Sequence, residues 1–217
     1  MITRINVIKK TFEDDILLFK EANPKKINIL FGGNGVGKTT FLNGIINNTL
    51  KIESNNKYET LSFVNSQNNF RHNNPIPSDR QFNNKLIQKI EAKKMSEGQS
   101  IVFSLTNFFE EVKNRLNNTQ NTVVVILDEV DSGLSAENIN MILHFIAEIN
   151  NSYSNVQFFI SSNAYHFVYV FKNVLSMYDG KIISIKSYEE FYKILIDNMK
   201  ELGQKRGLKF LQGANFI

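Results

Sequence analysis

The most informative stretch of the sequence is Gly32-Gly33-Asn34-Gly35-Val36-Gly37-Lys38-Thr39-Thr40. It fits the phosphate-binding pattern G-x-x-x-x-G-K-S/T, in which a glycine-rich loop joins a strand to a helix. The apolar run 27–31 precedes it, and a helix-like run at 41–46 follows it. In such a loop the backbone N–H groups surround a phosphate, and the helix N-terminus adds a favourable dipole. The sequence therefore predicts a strand–loop–helix phosphate site.

The loop residues have distinct expected roles. Lys38 is expected to reach the β- and γ-phosphates of a nucleotide, and the Thr39 hydroxyl to bind Mg²⁺. The expected nucleotide-binding residues are Gly32, Asn34, Gly35, Val36, Gly37, Lys38, Thr39 and Thr40. The alternative is a glycine-rich turn before an ordinary helix, and the flanking strand and helix argue against it.

A second candidate motif ends the β-branched run 122–127, where Asp128 and Glu129 follow. Ligands of open α/β sheets bind beyond the carboxyl ends of the strands. Asp128 is therefore a candidate magnesium ligand, and Glu129 a candidate base for an attacking water. The alternative is a pair of acids that begins a solvated turn, but the phosphate loop earlier in the chain favours the functional interpretation.

Composition limits the function classes. The chain has 217 residues, of which 42% are hydrophobic, and this is enough for the core of one domain. There is no cysteine, so disulfides and thiolate metal sites are excluded. The N-terminal residues lack a secretory pattern, and the apolar runs fall far short of the roughly 20 residues that span a bilayer. We expect a cytoplasmic location. The net charge of +4 permits contact with nucleic acid without arguing for it.

Strands and helices are expected to alternate, which predicts an α/β domain with a mostly parallel core sheet. Residues 73–77 break the chain before a lysine-rich helical pattern at 82–95, and this marks an inserted subdomain. We expect one domain over 1–217, with a helical insert at about 68–116 and a C-terminal helix plus basic tail at 187–217. The predicted strands are 2–7, 15–19, 59–64, 122–127 and 156–160, with a hairpin at 174–178 and 181–185; the predicted helices are 40–49, 100–116, 136–150 and one opened by a capping box at Ser187.

Four further segments give the chain a resemblance to the ATP-binding-cassette (ABC) class of P-loop ATPases. Gln67 is similar to the glutamine of the family's Q-loop, and 95–100 resembles the family signature LSGGQ. Residues 131–135 resemble the D-loop, and Asn163 stands where a strand normally ends in a switch histidine. The resemblance covers nearly the whole length and adds an N-terminal antiparallel β portion to the expected fold.

The resemblance implies an ATPase that works as a dimer with ATP and Mg²⁺. Gln67 would join Thr39 and Asp128 at the metal, and Glu129, Lys38 and Asn163 would be the catalytic groups. The signature residues Ser96, Gly98 and Gln99 would bind the γ-phosphate held by another subunit. Two chains, in a homodimer or an ABC-type heterodimer, would then enclose two ATP molecules head to tail.

The sequence departs from the family pattern at two places. Glu97 replaces a glycine of the signature, and Asn163 replaces the switch histidine. Asparagine cannot take up a proton at neutral pH, so slow hydrolysis is expected. His166 is the alternative to Asn163, although an ordinary structural role suits it better. Phe12 is a candidate to stack on adenine, with a place in the core as its alternative.

The biological role has two interpretations from the resemblance. The Lys25-Lys26 lead-in and the Ser-Ser-Asn switch segment favour the compact soluble branch, which serves DNA repair, chromosome organisation and anti-phage defence. A nucleotide-binding subunit of an ABC transporter is the alternative. The soluble interpretation implies that the ATP dimer gates a soluble effector protein, or that it acts on nucleic acid. A membrane partner is less expected than either. The tail 203–217 is either a docking segment or packs on its own domain.

Overall fold

A computed structural model describes residues 1–7, 19–65 and 96–205 of the chain. Its strands are β1 (Ile2–Asn6), β2 (Glu21–Ala22), β3 (Ile27–Phe31), β4 (Lys51–Ser54), β5 (Tyr58–Val64), β6 (Thr122–Asp128), β7 (Val156–Ser161), β8 (Asn173–Ser176) and β9 (Ile182–Ser184). Its helices are α1 (Lys38–Ile46), α2 (Glu97–Asn118), α3 (Ala136–Ser152), α4 (Tyr165–Phe171) and α5 (Tyr188–Lys205).

The core of the fold is a six-stranded sheet in the order β5-β6-β7-β3-β8-β9. The pairs from β5 to β8 are parallel, and β9 closes the edge as the antiparallel arm of a hairpin with β8. This confirms the predicted α/β fold with a mostly parallel core sheet. Every residue of β6 is buried, as expected for a strand covered on both faces.

Alternation along β6 divides the hydrophobic core into two layers. Val123, Val125 and Leu127 face a layer formed with α2 and α3. Val124 and Ile126 face the opposite layer, which contains apolar residues of α1 and β1. Because side chains of a strand point to alternate faces, the same run of valine and isoleucine supports both layers.

A small antiparallel sheet, in the order β2-β1-β4, covers one side of the core sheet. The buried side chain of Gln157 on β7 attaches it. Its amide donates to the carbonyl oxygens of Ile2 at 3.0 Å and Lys25 at 2.7 Å. Its Oε1 accepts from the N–H of Ile2 at 2.8 Å. The N-terminal antiparallel β portion implied by the resemblance is therefore present.

The structure adds three elements that the sequence patterns did not predict, and the first is the two-residue strand β2. Strand β4 is mostly exposed and polar, so it lacks the apolar alternation that indicates a strand. Helix α4 reads Tyr-His-Phe-Val-Tyr-Val-Phe, a composition typical of strands that tertiary packing overrides here. Helix α1 begins at Lys38, earlier than the predicted 40.

Other predictions lie outside the described residues. These are most of the strand at 15–19, the helix at 82–95, Phe12, Gln67 and the last twelve residues of the basic tail. In the ranges that are described, no helix combines the length and the apolar character needed to cross a membrane.

Candidate functional site

A cavity of about 540 Å³ lies at the carboxyl edge of the core sheet. Three strand ends contribute to it, because β7 lies between β3 and β6. The lining residues come from the glycine-rich loop and from the ends of β6 and β7: Gly33, Asn34, Gly35, Gly37, Lys38, Thr39, Thr40, Glu129, Ser161 and Asn163. Residues of the two motifs predicted from the sequence therefore meet in one cavity.

The loop conformation depends on glycine. Gly35 and Gly37 have φ of 77° and 94°, in the left-handed region that side chains disfavour. Gly37 is the N-cap of α1, and no side chain caps this helix end by a hydrogen bond. The first turn of α1 also contains no acidic residue. The N-terminus of α1, beside the cavity, is thus suited to bind an anion, because its N–H groups and its dipole favour negative charge.

Lys38 lies on the cavity wall and is 9% exposed. Its Nζ donates to the carbonyl oxygens of Gly32 at 2.7 Å and Gly33 at 3.3 Å, and to Oδ1 of Asn163 at 3.0 Å. Burial lowers the pKa of Lys38, while the charges of Asp131, Asp128 and Glu129 act in the opposite direction. The ammonium group is therefore held in place before any ligand arrives.

The residues at the end of β6 fit a magnesium ion. Asp128 is 2% exposed, and its Oδ1 is buried with no hydrogen-bond partner in the described part of the chain. Carboxylate and hydroxyl oxygens are ligands that Mg²⁺ prefers, and it commonly takes one or two protein ligands beside the phosphates. Among the described residues, there is no cluster of three or more histidine or acidic side chains suited to a metal. Asp128 and the exposed Thr39 suit this ion.

Glu129 follows Asp128 with a φ of 53°, which is uncommon for a residue other than glycine. This conformation begins a turn in which the N–H of Ser132 donates to the carbonyl oxygen of Glu129 at 3.1 Å. The reversal of the chain at the strand end leaves Glu129 on the cavity wall.

Asn163 connects the glycine-rich loop to the segment after Glu129. Its Oδ1 accepts from Lys38, and its backbone N–H donates to Oδ2 of Asp131 at 3.1 Å. His166, the alternative switch residue, is exposed on α4 and is not among the residues that line the cavity. Of the two candidate switch residues, Asn163 is therefore the one on the cavity wall.

The signature residues lie at the start of α2, outside the group that lines the cavity of their own chain. Ser96 caps the helix in a capping box with Gln99. Gly98 packs on the D-loop, since an added Cβ would lie 3.2 Å from the carbonyl oxygen of Gly133. Their predicted action on another subunit's ATP stays a prediction.

Three side chains at the site were not singled out from the sequence. Ser161 ends β7 and lines the cavity. The hydroxyl of Tyr178 accepts from the N–H of Gly33 at 2.9 Å, and its own pKa is raised by burial. Asn65 contacts the turn after β6. The sequence could have indicated Ser161, because it stands at the end of a predicted strand. Tyr178 and Asn65 reach the site through tertiary contacts, which leave no local sequence pattern.

Comparison with solved structures shows the same fold in ATP-binding cassettes. A nucleotide-free cassette from an ABC transporter matches with a TM-score of 0.52 and 14% identity, covering 93% of this chain and 98% of its own. A dimeric cassette in a post-hydrolysis state, bound to ADP and Pi, matches with a TM-score of 0.51 and 12% identity over 87% and 100%. The cbiO1 protein from Clostridium perfringens, part of an ABC transporter complex, matches with 0.50 and 16% over 94% and 95%.

Comparison with curated proteins finds no match. Among protein families, the model of an ATPase domain found predominantly in Archaea matches residues 14–204. This range includes the glycine-rich loop, the Asp128-Glu129 pair and Asn163, and it spans far more than half of the 217 residues. The chain belongs to this family of ATPase domains.

Proposed function

We propose that the chain binds ATP and hydrolyses it with Mg²⁺, as one half of a head-to-tail dimer that gates a partner. The observation that carries the proposal is that Lys38, Glu129 and Asn163 line one cavity with the glycine-rich loop. The carboxylate of Asp128 lies close enough for its charge to act on Lys38. A phosphate cradle, a metal-binding carboxylate and a base at one strand edge are the parts that phosphoryl transfer to water requires.

Each group has a physical role in this proposal. The loop N–H groups and Lys38 bind the phosphates, and Thr39 and Asp128 hold the metal, with Gln67 added by resemblance. A bound magnesium ion neutralises charge on the phosphates. Glu129 orients the attacking water and accepts its proton. Asn163 can donate its amide to the γ-phosphate, but it cannot take up a proton, which supports slow turnover.

The position of the signature residues supports the proposed dimer. Ser96 and Gln99 are exposed at a helix N-terminus, away from the cavity of their own chain. A second copy that presented Ser96, Gly98 and Gln99 to this cavity would cover its open side with further phosphate-binding groups. The likeness to a cassette described as dimeric supports this arrangement.

The proposed partner of the dimer is a soluble effector protein of a repair or defence complex, with nucleic acid as a further candidate. A transporter role is the second candidate, because several structures of the same fold belong to ABC transporters. Capture of the protein from its native host in the presence of ATP separates the two roles. Co-purification of an integral membrane protein would identify a transporter subunit, whereas co-purification of a soluble protein or nucleic acid would identify an ATPase that gates a soluble complex.

The ATPase proposal is tested with Glu129→Gln. This variant keeps the phosphate cradle and loses only the base, so we expect ATP to bind and a dimer to accumulate while hydrolysis falls by about a hundredfold or more. Gel filtration with light scattering measures the dimer, and phosphate release measures the rate.

Lys38→Ala is the control in the same experiment. It removes the cation that faces the phosphates, so it should show neither ATP binding nor the ATP-dependent dimer. A Glu129→Gln protein that remains monomeric in ATP and hydrolyses it at the wild-type rate would contradict the proposal.

A further inference from the structure

Asn65, the residue that follows β5, holds the turn that carries Glu129. Its side-chain amide donates to the carbonyl oxygen of Ser132 at 2.9 Å and, over a longer distance of 3.4 Å, to that of Glu129. Both acceptors are main-chain carbonyls, so only the NH₂ end of the amide can face them. The orientation of the side chain is therefore fixed by chemistry.

The turn that Asn65 contacts depends on external support. Glu129 has a left-handed φ of 53°, a conformation that persists in a non-glycine residue only where neighbouring groups hold it. The Glu129 carbonyl also accepts from the N–H of Ser132 within the turn. Asn65 thus bonds both ends of a four-residue turn whose first member lines the cavity.

The amide oxygen of Asn65 argues against a role in packing alone. Asn65 is 8% exposed, and its Oδ1 is buried without a hydrogen-bond partner among the described residues. A buried polar atom without a partner is costly, so an apolar side chain of similar size would fill the space more favourably. The NH₂ group is what an apolar side chain could not supply.

We propose that Asn65 is a positioning residue that fixes the main chain of Glu129, so that the carboxylate meets the attacking water. The inference rests on the proposed role of Glu129 as the base. Asn65 does not touch the nucleotide in this scheme. Its loss should therefore lower the rate of hydrolysis and leave ATP binding unchanged.

Asn65→Asp tests the inference with almost no change in shape. The substitution turns the NH₂ donor into a carboxylate oxygen that faces two carbonyl oxygens. We expect kcat for ATP hydrolysis to fall by about tenfold or more, with KM and the dissociation constant of a fluorescent ATP analogue within about twofold of wild type. Asn65→Leu, which removes the donor without adding charge, should give the same pattern and serves if the charged variant fails to fold.

Asn155→Asp is the matched control. The Asn155 amide also donates to two main-chain carbonyls, those of Thr119 at 3.3 Å and Asn121 at 3.1 Å, and it lies beyond the strand ends opposite the cavity. We expect this variant to keep the wild-type kcat. A loss of rate in Asn155→Asp equal to that in Asn65→Asp would show a general effect on folding and overturn the inference.

A double variant tests whether Asn65 acts on hydrolysis through Glu129 or by another route. In the Glu129→Gln background, Asn65→Asp should change the residual single-turnover rate by less than about twofold, because the group being positioned is already absent. A further tenfold loss there would overturn the inference. If the wild-type enzyme is active and both Asn65 variants keep a normal kcat, the inference is also overturned. That result would leave the ATPase proposal intact. A wild-type protein that hydrolyses no ATP would refute the proposed function itself.

Discussion

Asn163 lies on the cavity wall at the position where the resemblance implies a switch histidine. Its amide oxygen accepts from Lys38, and its backbone N–H donates to Asp131, so it links the glycine-rich loop to the turn that follows Glu129. An amide does not change charge between pH 5 and 8, whereas a histidine does. The proposed ATPase should therefore have no step in its pH profile that arises from this residue.

Replacing Asn163 with histidine should introduce such a step. Neutral imidazole can accept from Lys38 as the amide does, and it can also take up a proton during hydrolysis, so we expect Asn163→His to raise kcat above pH 7. Below the imidazole pKa, near 6.5 in the absence of other influences, the ring becomes a cation beside Lys38 and the gain should disappear. A profile of kcat from pH 5.5 to 8.5 measures this, with His166→Asn as the control that leaves it unchanged. A gain that is the same at every pH would contradict the argument.

At the residue scale, the sequence identifies groups whose position follows from an element end. Lys38, Asp128 and Glu129 are predictable because each stands at a fixed distance from the end of a strand. Tyr178 and Asn65 are not, since their contacts span 145 residues and more than 60 residues of chain. A single sequence carries no record of such pairings.

At the element scale, the hairpin of β8 and β9 shows how a turn fixes a tertiary contact. Gly180 has a φ of 72°, and a Cβ added there would lie 2.1 Å from the carbonyl oxygen of Glu21 in β2. The hairpin can therefore approach the small sheet only while position 180 lacks a side chain. The Asp-Gly pair predicts the turn from the sequence, but it does not predict the partner strand.

Gly180→Ala should destabilise the protein by at least about 2 kcal/mol, through the left-handed backbone and the displaced contact with β2. Urea unfolding followed by circular dichroism measures the change in the free energy of unfolding. The neighbouring Lys181 has a side chain that is 78% exposed, so Lys181→Ala is a control expected to change stability by less than about 0.5 kcal/mol. Equal stabilities of the two variants would show that the hairpin moves to accept the new methyl group.

Element types were predictable where burial and composition agree. Strand β6 is apolar throughout and buried throughout, and α3 has its apolar residues at helical spacing. Strand β4 and helix α4 escaped prediction because the first exposes most of its residues and the second has the composition of a strand. Pairing with β1 decides the structure of β4, and packing against other elements decides that of α4, whereas local propensity decides neither.

At the scale of the whole molecule, Gln157 joins the two sheets into one structure. It lies on the central strand β7, yet its side chain makes three hydrogen bonds to the backbone of the N-terminal region. The apolar contacts between the sheets are non-directional, so these bonds also define where β1 sits on the core sheet. In the sequence, the signal of this attachment is Gln157, a polar residue within an apolar run that predicts a buried strand.

Gln157→Met should separate the stability of the two sheets. The methionine fills a similar volume but leaves the Ile2 N–H and the carbonyls of Ile2 and Lys25 without these partners, at a cost of about 2–4 kcal/mol. We expect amide hydrogen exchange to accelerate first in β1 and β2, while β6, enclosed between two core layers, keeps most of its protection. Gln120→Met, at an exposed position, is the matched control and should alter neither. If protection in Gln157→Met fell equally in β1 and β6, the two sheets would unfold as one cooperative unit, and the N-terminal sheet would be an inseparable part of the ATPase core.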